Sequence, residues 1–239
     1  MFTLDRVVPW GRSFDEYRSM FALSDRDLGL RILDCGGGPA SFNAEGTRRR
    51  RSIVSCDPLY QFDAPDIASR IGETYNQILE QTRRNETEFV WTTIRSIDEL
   101  GELRLSAMRM FLDDYPAGRL AGRYLSAELP ELPFADRSFE LALSSHLLFL
   151  YTEQFDEPFH RAAIGEMCRV ADEVRVFPLL ALGAVPSRHV EPVADDMRHR
   201  GYHVTIEHVP YEFQKGGNQM MRIRRGAVDE ESGQRVDAR

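Results

Sequence analysis

Lysine is almost missing from this chain: Lys215 is the only one, so the other basic residues among the 30 are arginines. That is read as coding bias rather than as function. Basic residues are also outnumbered, 30 against 38 acidic, and the formal net charge of −8 works against general attraction to a phosphate backbone. The conspicuous basic run, at 48–51, falls where a helix should end, and there its cations complement the helix dipole. Cysteine is scarce as well. Cys35, Cys56 and Cys168 stand far apart with no C-x-x-C spacing, which excludes a disulfide framework and fits reduced thiols. No grouping of acids, histidines and cysteines has metal-ligand spacing, so no metal site is expected. Apolar runs are short: the longest, 177–185, falls well under the roughly 20 residues a bilayer requires. No basic segment followed by an apolar core opens the chain, so no secretory leader is read there. These absences predict a cytoplasmic protein without membrane contact, for which nucleic acid is not the expected partner.

What is present suits one α/β domain. The chain has 239 residues, 42% hydrophobic and 28% charged, long enough to bury a sizeable core. Capping-box patterns begin at Ser13 and Ser24, and Phe14, Tyr17 and Phe21 at helical spacing predict a short helix with an aromatic face. Residues 31–35 read as a strand running straight into Gly36, Gly37 and Gly38. A helix is expected from about Pro39, then a second strand at 52–56 ended by Asp57. Strand, glycine turn, helix and strand make a parallel βαβ unit.

About 65 residues then separate Asp57 from the next strand at 123–127, where a plain crossover needs about half as many. Ile67, Ile71, Tyr75, Ile78 and Leu79 mark one helix face. A capping box at Ser96 opens another helix, with Leu103, Ala107, Met110 and Phe111. The interval 64–118 is therefore read as a helical insert between strands two and three, either a lid or an oligomer contact. Beyond it come a fourth strand at 140–149, a helix at 158–170, a buried strand at 173–180 and a helix at 191–200. A terminal hairpin at 202–209 and 218–224 closes the fold. Residues 1–225 form a single domain in this reading, and 226–239, poor in apolar residues, a frayed tail.

The chemistry sits at the ends of the first strands. Glycines let the backbone turn sharply and let a ligand approach where a Cβ would collide. Asp57, 19 residues beyond Gly38 at the end of the second strand, stands where an acid accepts hydrogen bonds from two ribose hydroxyls. Together these point to a ligand containing a nucleoside. The competing reading makes the glycines packing residues and Asp57 a cap. A nicotinamide fingerprint would want a third glycine where Ser41 stands.

Four segments resemble the class I S-adenosylmethionine-dependent methyltransferases. Ile32 to Gly38 is similar to the first motif, in which an acid, here Asp34, and glycines, here Gly36, Gly37 and Gly38, cradle the methionine part of the cofactor. Val54 to Asp57 matches the second, whose acid holds the ribose. Ser126, Ala127 and Glu128, followed by Leu132, Pro133 and Phe134, resemble the adenine-contacting turn. Many members carry an acid where Ser126 stands, which leaves Ala127 to make a backbone contact. The stretch from Asp136 to His146 resembles the fourth motif, beside the transferred methyl group, and brings Ser144 and His146 to the site. The resemblance covers about residues 31–224, with the insert excepted. It implies a Rossmann-like three-layer sandwich: a mostly parallel seven-stranded sheet with an antiparallel last strand. It also implies S-adenosyl-L-methionine as cofactor and methyl transfer to a small-molecule acceptor that these residues do not identify. His146 is the candidate general base; packing beneath the cofactor is its structural alternative. Arg12 is a candidate for the cofactor carboxylate, and Tyr17 and Tyr151 for the acceptor wall, each against an ordinary surface or core role. No Asn-Pro-Pro-Tyr-like or Pro-Cys motif is present, which disfavours adenine, glutamine and cytosine-carbon acceptors. A cofactor-binding protein without catalysis and, less favoured, an NAD-dependent oxidoreductase are the alternatives.

Overall fold

The computed structural model describes residues 7–226, so the tail expected beyond residue 226 lies outside the described residues. Seven strands form the sheet: β1 Arg31–Cys35, β2 Ser52–Cys56, β3 Tyr124–Leu125, β4 Phe139–Ser145, β5 Ala171–Phe177, β6 Tyr202–His208 and β7 Gln219–Arg225. Their order is β3-β2-β1-β4-β5-β7-β6. The pairs from β3 through β5 are parallel, and β7 runs antiparallel to both neighbours. This is the Rossmann-like sheet with one reversed final strand that the sequence implied.

Alternation along the strands builds the three layers. Leu33, Cys35, Ala142 and Val174 face one side, where they meet Met167 of helix α5 (Glu157–Val170) and Val193 of α6 (Val190–His199). Ile32, Leu141 and Leu143 face the other, against Phe14 and Tyr17 of α1 (Phe14–Met20) and Phe42 of α2 (Phe42–Arg48). Tyr17 stacks on Phe42 with ring centroids 4.4 Å apart. Among the described residues no helix is long and apolar enough to cross a membrane.

The long interval between β2 and β3 holds two helices, α3 Ala64–Arg84 and α4 Ile97–Leu120. Ile67 and Ile71 of α3 join Met108, Phe111 and Tyr115 of α4 in one cluster with Tyr60 and Tyr124. Helix α4 also packs on α2 and leads directly into β3, so it serves as the ordinary crossover helix of a βαβ unit. The added material is α3 and the segment after it. That segment is tied down: Val90 N–H donates to the Phe213 carbonyl (2.7 Å) and Lys215 N–H to the Glu88 carbonyl (3.0 Å), joining the insert to the loop between β6 and β7.

Several boundaries differ from the sequence reading. Helix α2 starts at Phe42, not Pro39, because the chain is still turning there: Ala40 N–H bonds the Gly37 carbonyl and Ser41 N–H the Arg12 carbonyl. Strand β4 stops at Ser145 rather than Phe149, since His146 has φ +54° and leaves the extended conformation. Strand β5 ends at Phe177, short of Leu180, because Pro178 has no N–H for the ladder; Leu180–Ala181 instead pairs with Val185–Pro186 in a small ribbon. Strand β3 is only two residues long.

Candidate functional site

The carboxyl ends of β1, β2 and β4 open onto a cavity of about 820 Å³, within the size range of ligand sites and at the sheet edge where open α/β folds bind ligands. Gly36, Gly37, Gly38, Asp57, Ala127 and His146 line it. The turn after β1 admits only glycine where it is tightest. Gly36 has φ +70°, and a Cβ there would lie 2.5 Å from Leu147 Cδ2; one on Gly37 would lie 2.3 Å from Asp34 Oδ2. Gly36 N–H is held by the Cys56 carbonyl at 2.8 Å, and Tyr60 donates its hydroxyl to the Gly38 carbonyl at 2.7 Å.

Asp57 joins the two motifs. Its Oδ2 accepts from Gly38 N–H at 2.9 Å and its Oδ1 from Leu59 N–H at 2.8 Å, so it also caps the 3-10 turn at Pro58–Gln61. Burial raises its pKa above the usual value, against those two donors, with Glu128 adding to the rise. Each oxygen keeps a further lone pair for a ligand. The sequence posed cap and ligand-binding acid as competing roles; the geometry accommodates both.

Asp34 is placed differently. It is 1% exposed and lies beneath the glycine turn rather than on the cavity wall, accepting from the Tyr17 hydroxyl and from Ser55 Oγ, each at 3.1 Å. Burial pushes its carboxyl up to about 7 despite these two hydrogen bonds. The folded-state pKa thus exceeds the unfolded value, and the associated stability is present at low pH and lost as pH rises through about 7. Urea unfolding should therefore show the stability of the wild type relative to Asp34→Asn falling by a few kcal/mol between pH 4 and pH 7, a comparison that cancels the opposite contributions of His146 and His160. A stability difference between the two proteins that stays constant over this range would refute the assignment.

Ser144 is fully buried, with its Oγ unpartnered among the described residues, and Ser126 is exposed; neither lines the cavity. Glu128, two residues beyond Ser126, does. His146 donates its backbone N–H to the Phe177 carbonyl at 2.7 Å, sets Nδ1 2.9 Å from Ser145 Oγ and meets the Phe177 ring edge-on. Burial, and then Arg12 and Arg104, hold its pKa well below the usual histidine value, so the imidazole is neutral at pH 7.

Those two arginines line the same cavity. Glu16 is the capping acid that the sequence indicated: its Oε2 accepts from Ser13 N–H at 2.9 Å. The same oxygen accepts from Arg104 at 2.6 Å, and Oε1 accepts from the Tyr211 hydroxyl at 2.9 Å. Arg104 is 1% exposed. Sequence reading missed it, although a signal exists: Leu100, Arg104, Ala107, Met108 and Phe111 share the apolar stripe of α4, where an arginine needs a buried partner. Arg12 lies beside the glycine turn, its carbonyl bonded to Ser41 N–H and its NH1 to the Trp10 carbonyl (3.1 Å). Tyr17 and Tyr151 serve as core and as wall together.

An uncharacterized protein of the archaeon Methanocaldococcus jannaschii is 32% identical to this chain over 223 residues, which span 93% of this chain and 98% of the archaeal one. The chain belongs to that protein's family. No family model matches. Among solved structures, the chain is similar in course to a magnesium protoporphyrin IX methyltransferase from Synechocystis with bound S-adenosylmethionine (11% identity, TM-score 0.47, 89% of this chain and 78% of that one). It is likewise similar to a 1,6-didemethyltoxoflavin-N1-methyltransferase from Burkholderia thailandensis (10% identity, TM-score 0.46, 87% and 75%).

Proposed function

We propose that this protein transfers a methyl group from S-adenosyl-L-methionine to a small-molecule acceptor. The observation that carries the reading is the bond between Gly38 N–H and Asp57 at the mouth of the cavity, which joins the glycine turn and the acid of two separate motifs in one cradle. The residues fit the cofactor. The turn of Gly36 to Gly38 gives its amino-acid end a surface without side chains, Asp57 accepts from its ribose, and Ala127 and Glu128 flank its base. Asp34 supports the turn from below, and Ser144 packs behind it.

When bound, the cofactor supplies a methyl group on a sulfonium whose departure leaves a neutral thioether. The protein's task is then to align the acceptor and exclude water. The insert and the loop between β6 and β7, tied together through residues 88–90 and 213–215, roof the far half of the cavity and perform the second part. His146, neutral and on the cavity lining just beyond β4, would accept the acceptor's proton. Its replacement by glutamine is expected to lower turnover about 100-fold while leaving S-adenosylhomocysteine affinity within about twofold; unchanged turnover would remove it from the mechanism.

Incubation with methyl-labelled cofactor and the small-molecule fraction of a cell extract tests the activity. Label is expected in a compound of low molecular mass. Retention of the cofactor with no transfer to any fraction would instead favour a non-catalytic binding protein.

A further inference from the structure

We propose that the acceptor is an oxyanion carried on an apolar, largely aromatic body, and that Arg12 receives its charge. This rests on the methyltransferase reading and adds the acceptor's chemical class to it.

The first observation is an excess of positive charge on one wall. Among the described residues Arg12 forms no ion pair; NH1 bonds the Trp10 carbonyl, and Nε is buried without a partner. Arg104 places NH1 on Glu16, and its Nε is likewise unpartnered. Glu16 already accepts from Ser13, Arg104 and Tyr211, so it offsets one guanidinium and not two. A half-buried cation with no carboxylate beside it and a buried, unpartnered Nε is unfavourable until an anion reaches it. Burial, and then Arg104, lower the Arg12 pKa to about 10.

The second observation is the far part of the chamber. Trp10, Ile78, Phe89, Leu182 and Phe213 form its walls. The other ionisable carboxylates on the lining, Asp57 and Glu128, lie at the cofactor end, and Asp66 and Glu73 sit with Arg70 on the exposed start of α3. An apolar body thus fits the chamber, with its charge placed toward Arg12.

That charge belongs near the reacting atom because Arg12 and Arg104 line the same cavity as His146, the residue that the methyltransferase reading sets beside the transferred methyl group. A neutral amine gains positive charge as it takes the methyl, beside two guanidinium groups. An oxyanion loses its charge instead. An acceptor that arrives as a phenol passes its O–H proton to His146 and on to water, whereas a carboxylate arrives already ionised and gives up none. An oxygen lone pair then forms the O–CH3 bond as the C–S bond breaks, and the electron pair of that bond stays on sulfur. The products are a neutral methyl ether or ester and a neutral thioether.

Binding of three near-isosteric probes to the full chain saturated with S-adenosylhomocysteine tests this. The probes are 4-nitrophenol, read as its phenolate by absorption, 4-nitrobenzoate and 4-nitroaniline. At least one anion is expected to bind about 10-fold or more tightly than the aniline, and the tighter of the two identifies the acceptor oxygen as phenolic or carboxylic. Arg12→Met should bring the ratio to within about threefold, and Arg12→Lys should retain most of it. Equal binding of all three probes, or binding of none, overturns the proposal. So does an unchanged ratio in Arg12→Met accompanied by weakened S-adenosylhomocysteine binding, which would assign Arg12 to the cofactor's own carboxylate. Failure of the wild type to bind S-adenosylhomocysteine at all would overturn the methyltransferase reading together with this one.

Discussion

Replacing Asp57 by alanine is expected to weaken S-adenosylhomocysteine binding about 100-fold, close to 3 kcal/mol. The two charge-assisted hydrogen bonds to ribose hydroxyls that we propose for Asp57 would account for a loss of that size. The carboxylate is already oriented for them by Gly38 N–H and Leu59 N–H, so little rearrangement precedes binding. The variant also loses a cap, worth about 1 kcal/mol of stability. Thermal unfolding measured alongside the calorimetry separates the two effects. Asp57→Asn keeps one acceptor oxygen and should fall between alanine and wild type. Affinity unchanged in both variants would mean that the ribose is held elsewhere.

The second large effect concerns stability. Glu16→Ala leaves Arg104 buried without its carboxylate and also removes the acceptor for Tyr211 and the return arm of the Ser13 cap. Breaking a buried pair from one side costs about 3–5 kcal/mol, so urea unfolding should show a loss in that range. Removing both charges, in Glu16→Leu with Arg104→Met, should recover much of it, because Arg104 is no longer left without its carboxylate. The pH dependence has a defined sign. Burial pushes the Glu16 carboxyl up, but Arg104 and the Ser13 donors outweigh it and hold it at about 2. This stability is therefore present above the unfolded value near 4.5 and is lost as pH falls toward 2. A variant as stable as wild type at pH 7 would contradict the account of this wall.

The parts of the molecule legible in the sequence are those in which local chemistry and tertiary role coincide. Strands β1 and β2 begin and end where hydrophobic runs, glycine and Asp57 place them, and Ser13 caps α1 through Glu16 as its spacing indicates. The reversed final strand follows from the alternating hairpin pattern and from the resemblance together. Boundaries were less legible where long-range bonds decide them. Helix α2 waits for the Ser41–Arg12 contact, and β4 ends on a backbone conformation at His146 that no composition indicates. Asp34 shows the same limit at the site. Its position in the motif suggested a cofactor contact, but whether a carboxylate faces the cavity or the layer beneath depends on Tyr17 and Ser55, which come from other elements. Arg104 was hidden for a related reason: its partner lies 88 residues away on α1. The insert was legible as helix but not as architecture. Only the packing of α4 on α2 and its passage into β3 show that half of it is an ordinary crossover.

The central claim is that the glycine turn and Asp57 together hold a sulfonium nucleoside, and calorimetric titration of the full chain tests it most directly. The account predicts saturable, one-to-one binding of S-adenosylhomocysteine that added NAD does not displace. Heat from NAD alone, with none from S-adenosylhomocysteine, would contradict it.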